Sequence, residues 1–76
     1  MPFKYSDYWN RKRKYRPDIT DDIIEYAVKN SNEMKDRTYE ERRNAICKIP
    51  PSGRLLKVVY QHEQGKIKII TAYWLV

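Results

Sequence analysis

The chain has 76 residues, of which 41% are apolar and 34% charged, with a formal net charge of +6 and a single cysteine, Cys47. No apolar stretch approaches the roughly 20 residues a bilayer-spanning helix needs, one cysteine excludes an internal disulfide, and no Cys/His cluster could hold zinc. A chain this short buries only about 60% of its unfolded surface, so one small domain with a thin core is expected.

The charge is unevenly placed. Residues 1–16 carry six Lys/Arg and one acid, residues 17–41 three bases and eight acids, and residues 42–76 seven bases and one acid. A basic arm and a basic C-terminal half thus flank an acidic middle. Such a polarised field favours an anionic partner, nucleic acid above all, although solubility alone also accounts for a basic surface. The opening Met1-Pro2-Phe3-Lys4-Tyr5-Ser6-Asp7 lacks the apolar core of a secretory signal, so a reducing, cytoplasmic setting is the simplest reading.

In residues 5–16, Ser6 is an N-cap candidate and Asp7 suits a first turn. Tyr5, Tyr8, Trp9, Lys12 and Tyr15 fall near one helical stripe, which predicts an amphipathic helix ending at Arg16 before Pro17. Arg11, Lys12, Arg13, Lys14 and Arg16 form a basic run interleaved with aromatics. Phosphate contact and a solvated helix face fit the run equally, while Tyr8 and Trp9 are expected to dock on the sheet.

Residues 17–32 hold the clearest helix. Thr20 caps it, Asp21, Asp22 and Glu25 complement its positive end, and Ile19 with Ile24 forms a hydrophobic staple. Ile23, Ala27, Ile24 and Val28 make a wide apolar face, and Asn30-Ser31-Asn32 ends it. Residues 33–76 are expected to form the sheet. A first strand is placed at 34–39 and a second at 42–49, with a helix over 39–47 as the competing reading. Pro50-Pro51-Ser52-Gly53 breaks regular structure. Leu55–Gln61 and Lys66–Trp74 then form a long antiparallel hairpin, with Gly65 in a loop of three to five residues.

Strict alternation divides the hairpin into two faces. Leu56, Val58, Tyr60 and His62 join Ile67, Ile69, Thr71, Tyr73 and Leu75 on the face expected to meet the helix. Lys57, Lys66, Lys68, Gln61 and Trp74 share the other. Cations beside a stacking ring suit unpaired nucleotides; a solvated sheet face is the plain alternative. Cys47 is expected to be buried and inert.

The chemistry is narrow. There is no Gly-rich phosphate loop, Gly53 and Gly65 being the only glycines, and no Ser/His/Asp set. The acids offer no metal-ligand pattern, so no cofactor is expected. Metal-independent RNA cleavage needs a base for the 2′-hydroxyl, positive charge for the phosphorane and an acid for the leaving oxygen. Arg54, Lys57, Tyr60, His62, Lys66, Lys68 and Tyr73 supply those groups on the strands.

Two stretches carry a resemblance. Arg16-Pro17-Asp18-Ile19-Thr20 leads into the helix, and Gly53-Arg54-Leu55-Leu56-Lys57-Val58-Val59-Tyr60 is followed by Gly65-Lys66-Ile67-Lys68-Ile69-Ile70-Thr71-Ala72-Tyr73. Together they resemble the RelE/ParE-like toxin superfamily of bacterial toxin–antitoxin systems, nearest to BrnT-type members and related small domains. The resemblance implies an α+β domain with one or two N-terminal helices on one face of a three- to four-stranded antiparallel sheet. It implies a toxin-like mRNA endoribonuclease acting on RNA or the ribosome, neutralised by an acidic antitoxin, either monomeric or partner-bound. Arg54, Lys57 and Tyr73 match catalytic strand positions, with His62 as a further acid–base candidate. Arg11, Lys12, Arg13, Lys14, Arg16, Lys66, Lys68 and Trp74 are the expected nucleic-acid contacts. The alternative is a non-catalytic nucleic-acid- or protein-binding module of the same fold.

Overall fold

The computed structural model describes residues 2–75, in the order β1 (Phe3–Tyr5), α1 (Asp7–Lys12), a 3-10 turn (Arg13–Tyr15), α2 (Asp21–Lys29), β2 (Met34–Lys35), β3 (Arg42–Ile49), β4 (Arg54–Glu63) and β5 (Lys66–Leu75). The strands form one sheet in the order β1-β5-β4-β3-β2. The α+β class agrees with the sequence, but the sheet has five strands and is mixed. The three- to four-stranded antiparallel expectation is therefore corrected. β1 lies parallel to β5, with Phe3 beside Ile67 and Tyr5 beside Ile69.

That parallel pairing also breaks up the helix expected over residues 5–16. Tyr5 is the last residue of β1, and Ser6 makes the corner into α1. The Ser6 amide donates to the Ile69 carbonyl at 2.9 Å, and its hydroxyl donates to the Ile70 carbonyl at 2.8 Å. The same hydroxyl oxygen accepts the Trp9 amide at 3.0 Å, so one buried serine caps the helix and anchors it to the sheet. Trp9 is fully buried, whereas Tyr8 and Tyr15 remain exposed, so only one of the two expected aromatics docks.

α2 starts where its cap residue dictates. The Thr20 hydroxyl accepts the Ile23 amide, Asp21 and Asp22 fill the first turn, and the helix ends at Lys29 with Asn30 as its C-cap. It buries Ile24 and Ala27 against β3 and β4, with Ile19 packed beneath its entry. Burying side chains of this size contributes about 1.5–3 kcal/mol each for the larger ones. β3 runs over the predicted residues, and strand wins over the competing helix. β2, by contrast, stops at Lys35 instead of reaching residue 39. The Asp36 carboxylate accepts the amides of Thr38 and Tyr39, each at 2.9 Å, and this local turn diverts the backbone from the ladder.

The hairpin turn is shorter than expected. Glu63 pairs with Lys66, leaving only Gln64 and Gly65 in the loop. Both have positive φ, 51° and 77°, as a type I′ turn requires. The larger correction lies within β5. Val59 pairs with Thr71 but Tyr60 pairs with Ile69, so Ile70 is an extra, bulged residue. A one-residue slip exchanges the two faces of everything beyond it. The helix-facing set is Ile67, Ile69, Ala72 and Trp74, and Thr71, Tyr73 and Leu75 turn to the open face.

Candidate nucleic-acid interface

With the bulge in place, the pairing partners define the open face as rows across the strands. Arg42, Gln61, Lys68 and Lys4 form one; Asn44, Val59 and Thr71 the next; Ile46, Lys57 and Tyr73 the third; Lys48, Leu55 and Leu75 the last. Lys66 stands beside Glu63 at the turn end. Glu63 bridges to Lys4 and, at 3.9 Å, to Lys68, and these lysines hold its carboxyl below the usual range, the Lys4 hydrogen bond first. The Asp36 carboxyl lies beside this face and is also held low, chiefly by the Tyr39 and Thr38 amides.

Tyr73 is the aromatic centre of this face. The Lys57 ammonium stands 5.7 Å from its ring centroid, and the Arg16 guanidinium 6.0 Å. Arg16 reaches there because β1 covers only Ile67 to Ile69, leaving the outer edge of β5 beyond them without a strand. Its Nη1 donates to the Ala72 carbonyl at 2.9 Å and lies 3.4 Å from the Thr71 hydroxyl. One side chain thus satisfies an edge carbonyl and brings a cation round to the open face. At the opposite margin, the Arg42 guanidinium stacks 4.1 Å from the Tyr39 ring, and Tyr39 is exposed. Ile46 and Leu55 complete an apolar strip between the cations, 37% and 38% exposed.

The expected nucleic-acid residues do not all lie here. Lys66, Lys68 and Arg16 do. Lys12 lies over the Tyr8 ring and Lys14 over the Tyr15 ring, while Arg11 is exposed on α1. Arg13 is held by Asp21 at 3.0 Å and stacks on Tyr5 and Trp9, which identifies it as packing between the helices and β1. Trp74, expected among the lysines, faces the helix layer instead. Its indole N–H donates to Asp18 at 2.9 Å, and the Arg54 guanidinium covers its ring at 4.1 Å while pairing with the same Asp18. Lys4, Arg42 and Lys48 belong to the face but were missed. Period-two alternation over 42–49 puts Arg42 and Lys48 on one face of that strand, so those two could have been found from the sequence; Lys4 becomes a neighbour only through the parallel pairing.

The four catalytic candidates do not converge. Lys57 and Tyr73 are direct cross-strand partners on the open face. Arg54 and His62 lie on the helix side of β4, near opposite ends of the strand and roughly 27 Å apart at strand rise. His62 belongs to a separate polar cluster. Its Nε2 lies 2.7 Å from Glu33 Oε1, the Tyr60 hydroxyl donates to the same oxygen at 3.2 Å, and Arg43 Nε reaches Glu33 Oε2 at 3.2 Å. These donors hold the Glu33 carboxyl below its ordinary range, the His62 hydrogen bond contributing most. Burial, followed by the Glu33 charge, pushes the Tyr60 hydroxyl up to about 12. No signal in the sequence links Glu33 to His62, which lie 29 positions apart. Cys47 is half-buried at the margin of the core. Among the described residues no group of three His, Cys, Asp or Glu side chains is arranged to hold a metal, and no helix is long and apolar enough to cross a membrane.

The fold and this face define a small α+β domain with a basic, aromatic-centred open sheet. The chain matches no known family model, no curated protein and no solved structure.

Proposed function

We propose that this protein binds RNA across the open face of its sheet. The observation that carries the reading is Tyr73 flanked by Lys57 and Arg16, within a face that also carries Lys4, Arg42, Lys48, Lys66 and Lys68. Phosphates are drawn by the cations, and a base stacks on a ring whatever its identity, so such a surface binds with strong salt dependence and little sequence preference. Titration of a fluorescent single-stranded RNA oligonucleotide, followed by anisotropy, tests it. Binding that weakens steeply with salt and drops in Tyr73→Ala and Lys57→Ala supports the reading; salt-insensitive or absent binding overturns it.

A second reading is a toxin-like, metal-independent endoribonuclease, RelE-like in kind and countered by an acidic antitoxin. The pairing of Lys57 with Tyr73 favours it, because an ammonium that can neutralise the phosphorane's charge and a phenol hydroxyl that can exchange a proton stand side by side on the face offered to a phosphodiester. Arg54 and His62 are too distant from that pair to act at the same bond. On this reading the protein cleaves an RNA oligonucleotide, spares its 2′-deoxy analogue, and arrests growth when expressed. Arrest that is unchanged in a Lys57→Ala, Tyr73→Phe double variant removes these residues from the mechanism.

A further inference from the structure

The sheet has two outer edges, and they are treated differently. On the β5 side, β1 pairs with Ile67 to Ile69, and Ser6 and Arg16 then satisfy the carbonyls of Ile69, Ile70 and Ala72. On the β3 side, β2 pairs only with Asn44 and Arg43 before Asp36 turns the chain away. The Asp36 amide donates outward-in to the Arg42 carbonyl, and the Ile49 carbonyl accepts from Gly53 on the β4 side. Backbone groups alternate in direction along an antiparallel strand, so the amides and carbonyls of Ile46 and Lys48 point outward. Among the described residues no strand covers them, and the Cys47 thiol lies 3.4 Å from the Lys48 carbonyl. Both residues are exposed.

We propose that the β3 edge from Ala45 to Ile49 is a docking site for an extended acidic segment of a partner protein, which adds to the sheet as a further strand. Unpaired edge amides and carbonyls are a template for such addition. The side chains decide the occupant. Lys48 and Arg42 project on the open side of β3, and Lys57 stands beside Ile46 on the neighbouring strand. An incoming strand therefore meets cations on its open side and the apolar margin of Cys47 and Ile49 on its helix side. The matching segment alternates acidic with apolar residues. A second copy of this chain is the wrong occupant, because two-fold antiparallel pairing over Ala45–Ile49 sets the Lys48 side chains of both copies diagonally opposite each other on the same open face, on chains of net charge +6.

The test uses the full chain and a labelled peptide of about seven residues alternating Glu and Val, long enough to match a typical strand. Binding is read by anisotropy beside two control peptides: one with Lys in place of Glu, and one N-methylated at alternate amides. N-methylation keeps the charge but removes the ladder donors. The Glu peptide should bind, and the N-methylated and Lys peptides should each bind at least roughly tenfold more weakly, the loss expected for one or more hydrogen bonds or charge contacts. Ile46→Pro, which deletes an outward amide at a position where edge strands tolerate proline, should weaken the Glu peptide similarly while circular dichroism stays unchanged. If that variant unfolds, the N-methylated peptide decides alone. Equal affinity for the Glu peptide and its N-methylated form overturns strand addition. Self-association by sedimentation velocity that outcompetes the peptide overturns the choice of occupant.

Discussion

Replacing Lys57 by Ala should lower both the affinity for single-stranded RNA and its dependence on salt. The open face carries Lys4, Arg16, Arg42, Lys48, Lys57, Lys66 and Lys68, of which Lys4 and Lys68 are tied to Glu63. Five cations are then free to meet phosphates. Each phosphate neutralised on a single strand contributes about 0.7 to the slope of log affinity against log salt, so a slope near −3.5 is expected. Between about 50 and 200 mM salt that slope corresponds to roughly a hundredfold loss of affinity. Lys57→Ala should flatten the slope by about 0.7, to roughly −2.8, because one fewer counterion is released. Tyr73→Ala should weaken binding at every salt concentration without changing the slope, since stacking releases no ions; about 1–3 kcal/mol is the usual contribution of one stacked base. Anisotropy titrations over that salt range measure both quantities. A slope unchanged by Lys57→Ala, with Tyr73→Ala also silent, would refute the placement of RNA on this face.

Four further outcomes follow from the structure. Trp9→Ala should destabilise the domain by about 3–5 kcal/mol in chemical denaturation, a large part of the total for so small a chain, because Trp9 is fully buried beneath α1. At the turn, Gly65→Ala should cost about 1 kcal/mol and lower Tm by roughly 4–8 °C: its φ of 77° is strained for any Cβ although nothing lies within 4 Å. Gln64→Asn should act in the opposite direction, since Asn tolerates the positive φ of 51° better. The pH profile has two limbs. Glu33 titrates lower in the folded state than unfolded, so its contribution is present above the unfolded carboxylate value and lost as pH falls through the folded one. Tyr60 titrates higher when folded, about 12 against 10, so stability present below 10 is lost as pH rises toward 12. Glu33→Gln should flatten the acid limb and Tyr60→Phe the alkaline one, each read from urea midpoints across pH.

Local signals in the chain were sufficient for several elements. Thr20 with two following aspartates marks a helix start because the cap and the dipole act within one turn. Alternation over Arg42–Ile49 and around Val58 marks strands because side chains on a pleat repeat every two residues. The α+β class, the β4–β5 hairpin and its basic character were legible for the same reason. What tertiary structure decided is what depends on partners distant in sequence. Phe3–Tyr5 becomes a strand only because β5 presents a parallel edge, and Glu33 meets His62 only once the loop after α2 lies against the end of β4. The bulge at Ile70 has the widest effect. Alternation on its own assigns Tyr73 to the core and Trp74 to the lysines; one extra residue in the pairing reverses both. Residue types and their spacing determined that this chain carries a basic sheet with aromatics at its C-terminal strand. Only the register, set by packing of Ala72 and Trp74 under the helices, decided which aromatic stands among the cations.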